Sequence, residues 1–262
     1  MTLSFLGARR LLTAALLAAG AAHAALPSPA QPQDLAGFKD CPQHFFRGAA
    51  PVPFVGSAQN PGKLRALCFD GFAVLHSGEA KTPVYVAEFI SRESLRDAKG
   101  QKRTNRFYEE ARLPASERAR LADYRGSGYD RGHMAAAGQR NTPESMAQSF
   151  SLANMVPQAP ENNQGAWRAR VEEPTRKYAA RSVAGIYVIT GPIHSPPVAT
   201  IGAGKVWVPS KLFKLVYDPQ SRRAWAYLVD NTDTAKVGTP LSYDQLVQHL
   251  GIHLLPATAF QK

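Results

Sequence analysis

From Leu64 onward, apolar and polar positions fall into short runs with a period near two. "LRALCFDGFAVLH" and "PVYVAEFI" read as paired strands joined through the turn-rich "SGEAKT". "GIYVITGPI", "KVWVPSKLFKLVYD" and "AWAYLVDN" read as further strands, with "PQSRR" making a hairpin of the last two. Helical signals lie between these runs. "ASERARLADY" (115–124) predicts a short helix capped by Ser116 or entered through Pro114. In "RNTPESMAQSF", Asn141 or Thr142 precedes Pro143, and Glu144 sits in the first turn, which marks a helix start. Residues 161–180 predict a longer helix that Pro174 kinks or breaks. Ser242 and Gln245 form the capping-box pattern of a final helix. The elements are interspersed without regular βα alternation and the hairpins are antiparallel. The pattern therefore predicts an α+β fold with a central, largely antiparallel sheet flanked by helices. No linker-like stretch follows Cys41, so residues 41–262 are expected to form one domain.

The N-terminus follows neither period. Arg9 and Arg10 precede "LLTAALLAAGAA" and then Ala22-His23-Ala24, the order of a basic region, an apolar region and a small-x-small cleavage site. Residues 1–24 are thus expected to be a secretory signal peptide cut after Ala24, placing the protein in the periplasm or outside the cell. The apolar run is shorter than the roughly 20 residues of a spanning helix, which argues against a membrane anchor. Residues 25–40 are rich in Pro and Ala and read as a flexible lead-in. The two cysteines, Cys41 and Cys68, both lie beyond that cleavage site. In an oxidising compartment such a lone pair most simply forms one disulfide, with two buried thiols as the alternative.

Composition narrows the function class. A chain of 262 residues that is 44% hydrophobic has enough apolar material for a real core, which excludes a disordered protein. The net charge is +11, and loss of Arg9 and Arg10 lowers it by two to +9. An exported protein this basic attracts polyanions, but charge alone does not choose among nucleic acid, anionic lipid and acidic polysaccharide.

The chemistry is concentrated in "SGYDRGHM" (127–134), where Asp130, Arg131, Gly132 and His133 are adjacent. Phosphodiester hydrolysis needs a base for water and positive charge on the phosphoryl group and the leaving oxygen. An imidazole with an ordinary pKa of about 6.5 is largely neutral at pH 7 and can accept a proton, so His133 is the candidate base. About twenty residues on, "SFSLANMVPQAPENNQGAW" carries Asn154, Gln158, Asn162, Asn163 and Trp167.

"DRGH", "ANMVPQ" and "NQGAW", in that order, resemble the motifs of the non-specific DNA/RNA endonucleases of the ββα-metal group. The likeness extends through "FAVLHSG", "YVAEF" and "VITGP", roughly from Leu64 to Asn231. The resemblance implies a ββα-metal motif in which His133 is the general base and Asn163 the one direct protein ligand of Mg2+, with Mn2+ as an alternative. It implies that Asn154 supports the loop geometry, while the residues themselves suggest that Gly132 lets the backbone bend tightly beside His133 and that Asp130 hydrogen-bonds nearby groups to hold that turn. "QKRTNRFYEEARLP" resembles the family segment that sets an arginine against the scissile phosphate. Arg103 is the better match and Arg106 the fallback, while Arg131 and Arg168 are candidates for backbone contacts. The implied reaction is in-line attack of water on phosphorus in DNA or RNA, leaving 5′-phosphates. The alternatives are a phosphodiesterase acting on another polyanion and a non-catalytic nucleic-acid-binding protein.

One position departs from the family pattern. Members carry a helical glutamate eight residues after the metal asparagine, and here that residue is Val171, followed by Glu172 and Glu173. On a wheel of 100° per residue, Glu172 lies opposite Asn163. A π-bulge between Trp167 and Val171 would absorb one extra residue and turn Glu172 toward the metal, and otherwise Glu173 is the nearer acid. Pro174, which cannot donate to the Arg170 carbonyl, favours the bulge.

Overall fold

In chain order the main strands are β1 (Leu64–Cys68), β2 (Ala73–Ser77), β3 (Thr82–Ile90), β4 (Asp130–His133), β5 (Met155–Gln158), β6 (Ile186–Ile193), β7 (Lys211–Asp218), β8 (Arg223–Asp230) and β9 (Leu241–Ser242). All but two join one sheet in the order β9-β8-β7-β6-β3-β2-β1. Every neighbouring pair in it is antiparallel. Strands β4 and β5 pair only with each other. This computed structural model describes Met1 and residues 28–29, 35–55 and 62–261. The expected signal peptide, Met1 apart, and most of the lead-in lie outside the described residues.

The period-two alternation sorts side chains onto the two faces of the sheet. Leu75, Tyr85, Ile189, Phe213 and Leu215 pack on one face against Phe38, Phe45 and the final helix, Tyr243–Leu250. Val74, Val86, Leu212 and Val229 pack on the other, beneath Met134, Ala135, Val156, Trp167 and Val171. Both faces are covered, so the inner strands read as nearly continuous apolar runs. The second face carries the segments in which the sequence motifs lie. The architecture is α+β, as the pattern predicts.

The capping signals are met closely. Thr142, not Asn141, accepts from the Ser145 N–H at 3.0 Å and starts the helix Pro143–Gln148. Ser242 accepts from the Gln245 N–H at 3.2 Å, and Gln245 accepts in return from the Ser242 N–H at 2.8 Å.

Several expected elements are corrected by tertiary contacts. "LRALCFDGFAVLH" is not one strand but the β1–β2 hairpin, closed by a 2.9 Å bond from the Phe69 N–H to the Phe72 carbonyl. "KVWVPSKLFKLVYD" breaks around Pro209, which lacks the N–H a ladder needs, into Val206–Trp207 and β7. The helix expected over 115–124 forms only at Leu121–Tyr124. Upstream, the Glu117 carbonyl accepts from His76 Nε2 at 2.8 Å, while Asp123 Oδ2 accepts from the Arg120 N–H at 2.8 Å and begins the helix there. A short helix at Arg92–Ala98, capped by Ser91, has no counterpart in the pattern reading because it buries no residue and so has no apolar stripe.

Cys41 and Cys68 form a disulfide with a Cα separation of 5.7 Å, tying the N-terminal helical turns to the end of β1. A closed loop with a sequence separation of 27 stabilises by about 3–4 kcal/mol through the entropy of the unfolded chain. Reduction is expected to lower the melting temperature by about 10 °C, given about 2–4 °C per kcal/mol for a chain of this size. Metal affinity is expected to stay unchanged, because neither cysteine lines the cleft described below. Equal melting temperatures with and without reductant would remove the disulfide from the stability account.

Candidate active site

Strand β4 carries the DRGH tetrad and pairs with β5 in the register Asp130↔Gln158, Arg131↔Pro157, Gly132↔Val156 and His133↔Met155. The tetrad is therefore extended strand and not the expected turn, Asp130 reaches to Asn163 and Gln164 instead, and position 132 takes glycine for a different reason. A Cβ built there would lie 2.6 Å from the Cβ of Gln158, a side chain that is fully buried. The strand ends in a clamp made by Asn154, also fully buried. Its Oδ1 accepts from the Ala135 N–H, and its Nδ2 donates to the Ala135 and Ser149 carbonyls, each at 2.9 Å. All the hydrogen-bonding capacity found for this amide goes to backbone, so Asn154 fixes the turn after His133 rather than facing a ligand.

The helix Asn162–Glu172 completes a ββα unit. It is wound as a π-helix, and its end shows the i→i+5 bond from the Glu173 N–H to the Arg168 carbonyl. The widening therefore spans the whole segment instead of one bulge between Trp167 and Val171. Thr175 Oγ1 donates to the Val171 carbonyl at 2.7 Å, satisfying an acceptor next to Pro174. Trp167 and Val171 are buried against the sheet. With this winding, Glu172 lines the same cleft as Asn163 and His133. Glu173 points to solvent and pairs with Lys177 at 2.7 Å.

The cleft has a volume of about 560 Å3. Its walls bring together Arg103, Asp130, Arg131, His133, Asn163, Arg168 and Glu172. Arg106 is exposed and is not part of them. Asp130 Oδ2 accepts from Asn163 Nδ2 at 2.9 Å and from Gln164 Nε2 at 2.8 Å. The Asn163 nitrogen is thereby committed, and its carbonyl oxygen is left as a free acceptor at the cleft wall. Among the described residues no cluster of three or more His, Cys, Asp or Glu side chains is arranged to hold a metal. A cation in this cleft would meet an amide oxygen and the nearby Glu172 carboxylate.

His133 is held edge-on by Phe150, with ring centroids 5.1 Å apart, and by the tilted ring of Phe107 at 5.7 Å. Burial pushes its pKa down to about 3, and the charges of Arg103, Arg140 and Arg131 add to the effect. The ring is therefore neutral at pH 7, the form a base requires. Arg103 is oriented by Asn105 Oδ1 at 2.6 Å from its Nε and lies 5.1 Å from the Phe150 ring centre. Arg131 stacks over Phe107 at 4.0 Å, and Arg168 Nε donates to the Gln164 carbonyl at 2.8 Å. Burial raises the Glu172 pKa, while the Lys214 and Arg176 charges oppose the rise.

Beneath the cleft lies a buried charge network that motif reading passes over. Arg140 pairs with Glu88, and Lys214 Nζ stands 4.0 Å from Glu88 and donates to Thr190 Oγ1 at 2.6 Å. The signal is visible in the sequence as single charges inside apolar strands, Glu88 in "VYVAEFI" and Lys214 in "LFKLVYD". Such a charge must have a buried partner.

The chain is 36% identical over 167 residues to human mitochondrial endonuclease G, covering 60% of this chain and 55% of that protein. It is 32% identical over 190 residues to mitochondrial nuclease 1 of Schizosaccharomyces pombe, covering 68% of this chain and 56% of that protein. The chain thus spans little more than half the length of these relatives. Among solved structures, a chain from the EndoG/EndoGI complex superposes with a TM-score of 0.66 at 24% identity, covering 74% of this chain and 87% of that one, and shares the fold. The family model described as DNA/RNA non-specific endonuclease matches residues 55–252, more than half of the sequence, and the chain belongs to that family.

Proposed function

We propose that this protein is a divalent-cation-dependent endonuclease that hydrolyses phosphodiester bonds of DNA and RNA to 5′-phosphate products. One observation carries the reading: a neutral histidine, an amide oxygen freed by Asp130, and the guanidinium of Arg103 meet in one open cleft. His133 accepts the proton of the attacking water. Arg103 and Arg131 bind the non-bridging phosphate oxygens, whose charge rises as the new bond forms. Asn163 would hold the cation through its amide oxygen, and Glu172, on the same cleft wall, would supply an acceptor beside it. A bound cation supplies Lewis-acid stabilisation of the leaving 3′ oxygen. Mg2+ suits a site with one amide ligand because it retains most of its waters, and Mn2+ accepts the same oxygen donors. Phosphate contacts dominate this recognition, so affinity falls with salt and sugar identity matters little. The basic, apolar and small-x-small order of residues 1–24 supports export to the periplasm or beyond, where a disulfide persists.

Plasmid DNA and a single-stranded RNA incubated with the purified protein test the proposal. Nicking and RNA cleavage are expected with Mg2+ or Mn2+, to vanish in EDTA and to return when the cation is restored. Binding without cleavage under all these conditions would favour the non-catalytic reading. Hydrolysis confined to small phosphodiesters would favour the phosphodiesterase.

A further inference from the structure

Next to the cleft is a second hollow of about 370 Å3, lined by Leu121, Tyr124, Arg125, Tyr129, Asp130 and Arg131. Asp130 and Arg131 line both cavities, so the two hollows are neighbours that share a wall on β4. We propose that this hollow is a base-stacking subsite, which takes an unpaired nucleobase flanking the scissile phosphate against the ring of Tyr129. The proposal rests on the endonuclease reading and assigns a substrate contact that the reaction itself does not require.

Three observations support it. First, the walls combine aromatic rings with cations, the composition that receives a single strand: rings stack on the base while guanidinium groups hold the backbone. Tyr129 is half-buried, with Arg125 exposed beside it and Arg131 on the shared wall. The Tyr124 hydroxyl is buried and has no protein hydrogen-bond partner among the described residues. Second, the two tyrosines are presented by a fixed turn. Ser127 Oγ donates to the Tyr124 carbonyl at 2.9 Å and accepts from the Tyr129 N–H at 3.1 Å. Gly126 and Gly128 have φ of 68° and 80°, which L side chains rarely adopt. Little ordering is therefore needed when a base arrives. Third, a Cβ built on either glycine meets no atom within 4 Å, so the turn that joins the two tyrosines faces open space. A base held in a duplex keeps its stacking partners and does not enter, so unpaired strands gain the contact and paired ones do not.

The experiment compares a short thymidine oligonucleotide with one of equal length made of stable abasic residues, in the presence of Mg2+. The two carry the same phosphates and differ only in bases. The wild-type KM is expected to be about 10-fold lower for the base-bearing strand, within the range one stacked base produces. Tyr129→Ala is expected to close that gap and Tyr129→Phe to keep it. Tyr129 also packs against the cluster around Tyr124 and Met155. Tyr129→Leu, which keeps apolar bulk without a flat ring, is therefore the control for folding and is also expected to close the gap. Equal wild-type KM values, or a gap that survives both Ala and Leu, would overturn the subsite. Should the wild-type protein cleave neither strand with Mg2+ or Mn2+, the endonuclease reading fails instead. The same base-dependent gap, measured as binding by fluorescence anisotropy, then decides the subsite on its own.

Discussion

His133→Ala is expected to lower kcat by at least about 100-fold, the contribution of a positioned general base, while nucleic acid still binds with near wild-type affinity. The split follows from the geometry. His133 is almost fully buried between Phe107 and Phe150, and Arg103, Arg131 and Arg168 stand around it at the cleft wall. On the proposed mechanism, phosphate attraction comes from the arginines and proton transfer from the imidazole. The low pKa also makes the free histidine a weak base, since burial first, and then the charges of Arg103, Arg140 and Arg131, oppose its protonation. Single-turnover cleavage and anisotropy binding on the same variant check this. Near-normal turnover would remove His133 from the role, and a loss of binding equal to the loss of rate would mark it as a structural residue.

Most of the fold was legible because its determinants are local. The short apolar runs of β2, β3, β6 and β7, bounded by turn residues, and the caps at Thr142 and Ser242 depend on neighbouring residues and on bonds spanning three residues. What escaped depends on distant partners. Glu117 leaves the expected helix because His76, in β2, takes its carbonyl. The helix Arg92–Ala98 buries no residue and so shows no periodicity, and it is held instead by Arg92, which donates to the distant Ala180 and Arg181 carbonyls. At the site, DRGH, Asn154 and NQGAW are contiguous motifs and announce themselves. The roles divide only in three dimensions, where Asn154 serves the backbone and Asp130 reaches across to orient Asn163. Glu172 marks the boundary between the two kinds of signal. The displaced acid and Pro174 are written in the sequence, and the idea of a widened turn follows from them. That the π winding runs from Asn162 to Glu172 depends on how Trp167 and Val171 seat against the sheet.

Acid is expected to unfold this protein before it protonates His133. His44, His76 and His194 are buried, which holds their pKa values to about 4, and His133 is held to about 3, against about 6.5 in an unfolded chain. Above that unfolded value both states are neutral and stability does not depend on these groups. Below it, the unfolded chain takes up four protons that the folded one refuses. Each group then costs about 1.4 kcal/mol of stability per pH unit until its folded pKa is reached. Together they remove about 5 kcal/mol per unit, which is comparable to the whole stability of a typical domain at about 5–15 kcal/mol. Relaxation and water entry reduce this figure without changing its sign. Glu172, held high by burial, opposes the trend as a single group near its ordinary value of 4.5, and Asp218, held low, adds to the loss at still lower pH. Thermal melts between pH 8 and pH 4.5 are therefore expected to show a steep fall beginning near pH 6.5. His194→Phe is the informative variant. His194 meets Trp207 edge-on at 5.4 Å and neither ring nitrogen has a protein hydrogen-bond partner among the described residues, so a phenyl ring fits its packing. Removing this one titrating group is expected to lower the slope by about a quarter. A melting temperature that stays flat down to pH 5 would refute the buried neutral histidines. If the fall is found, the acid limb of the activity profile coincides with the melt and not with a titration near pH 6.5, because His133, the proposed base, stays neutral for as long as the fold that buries it survives.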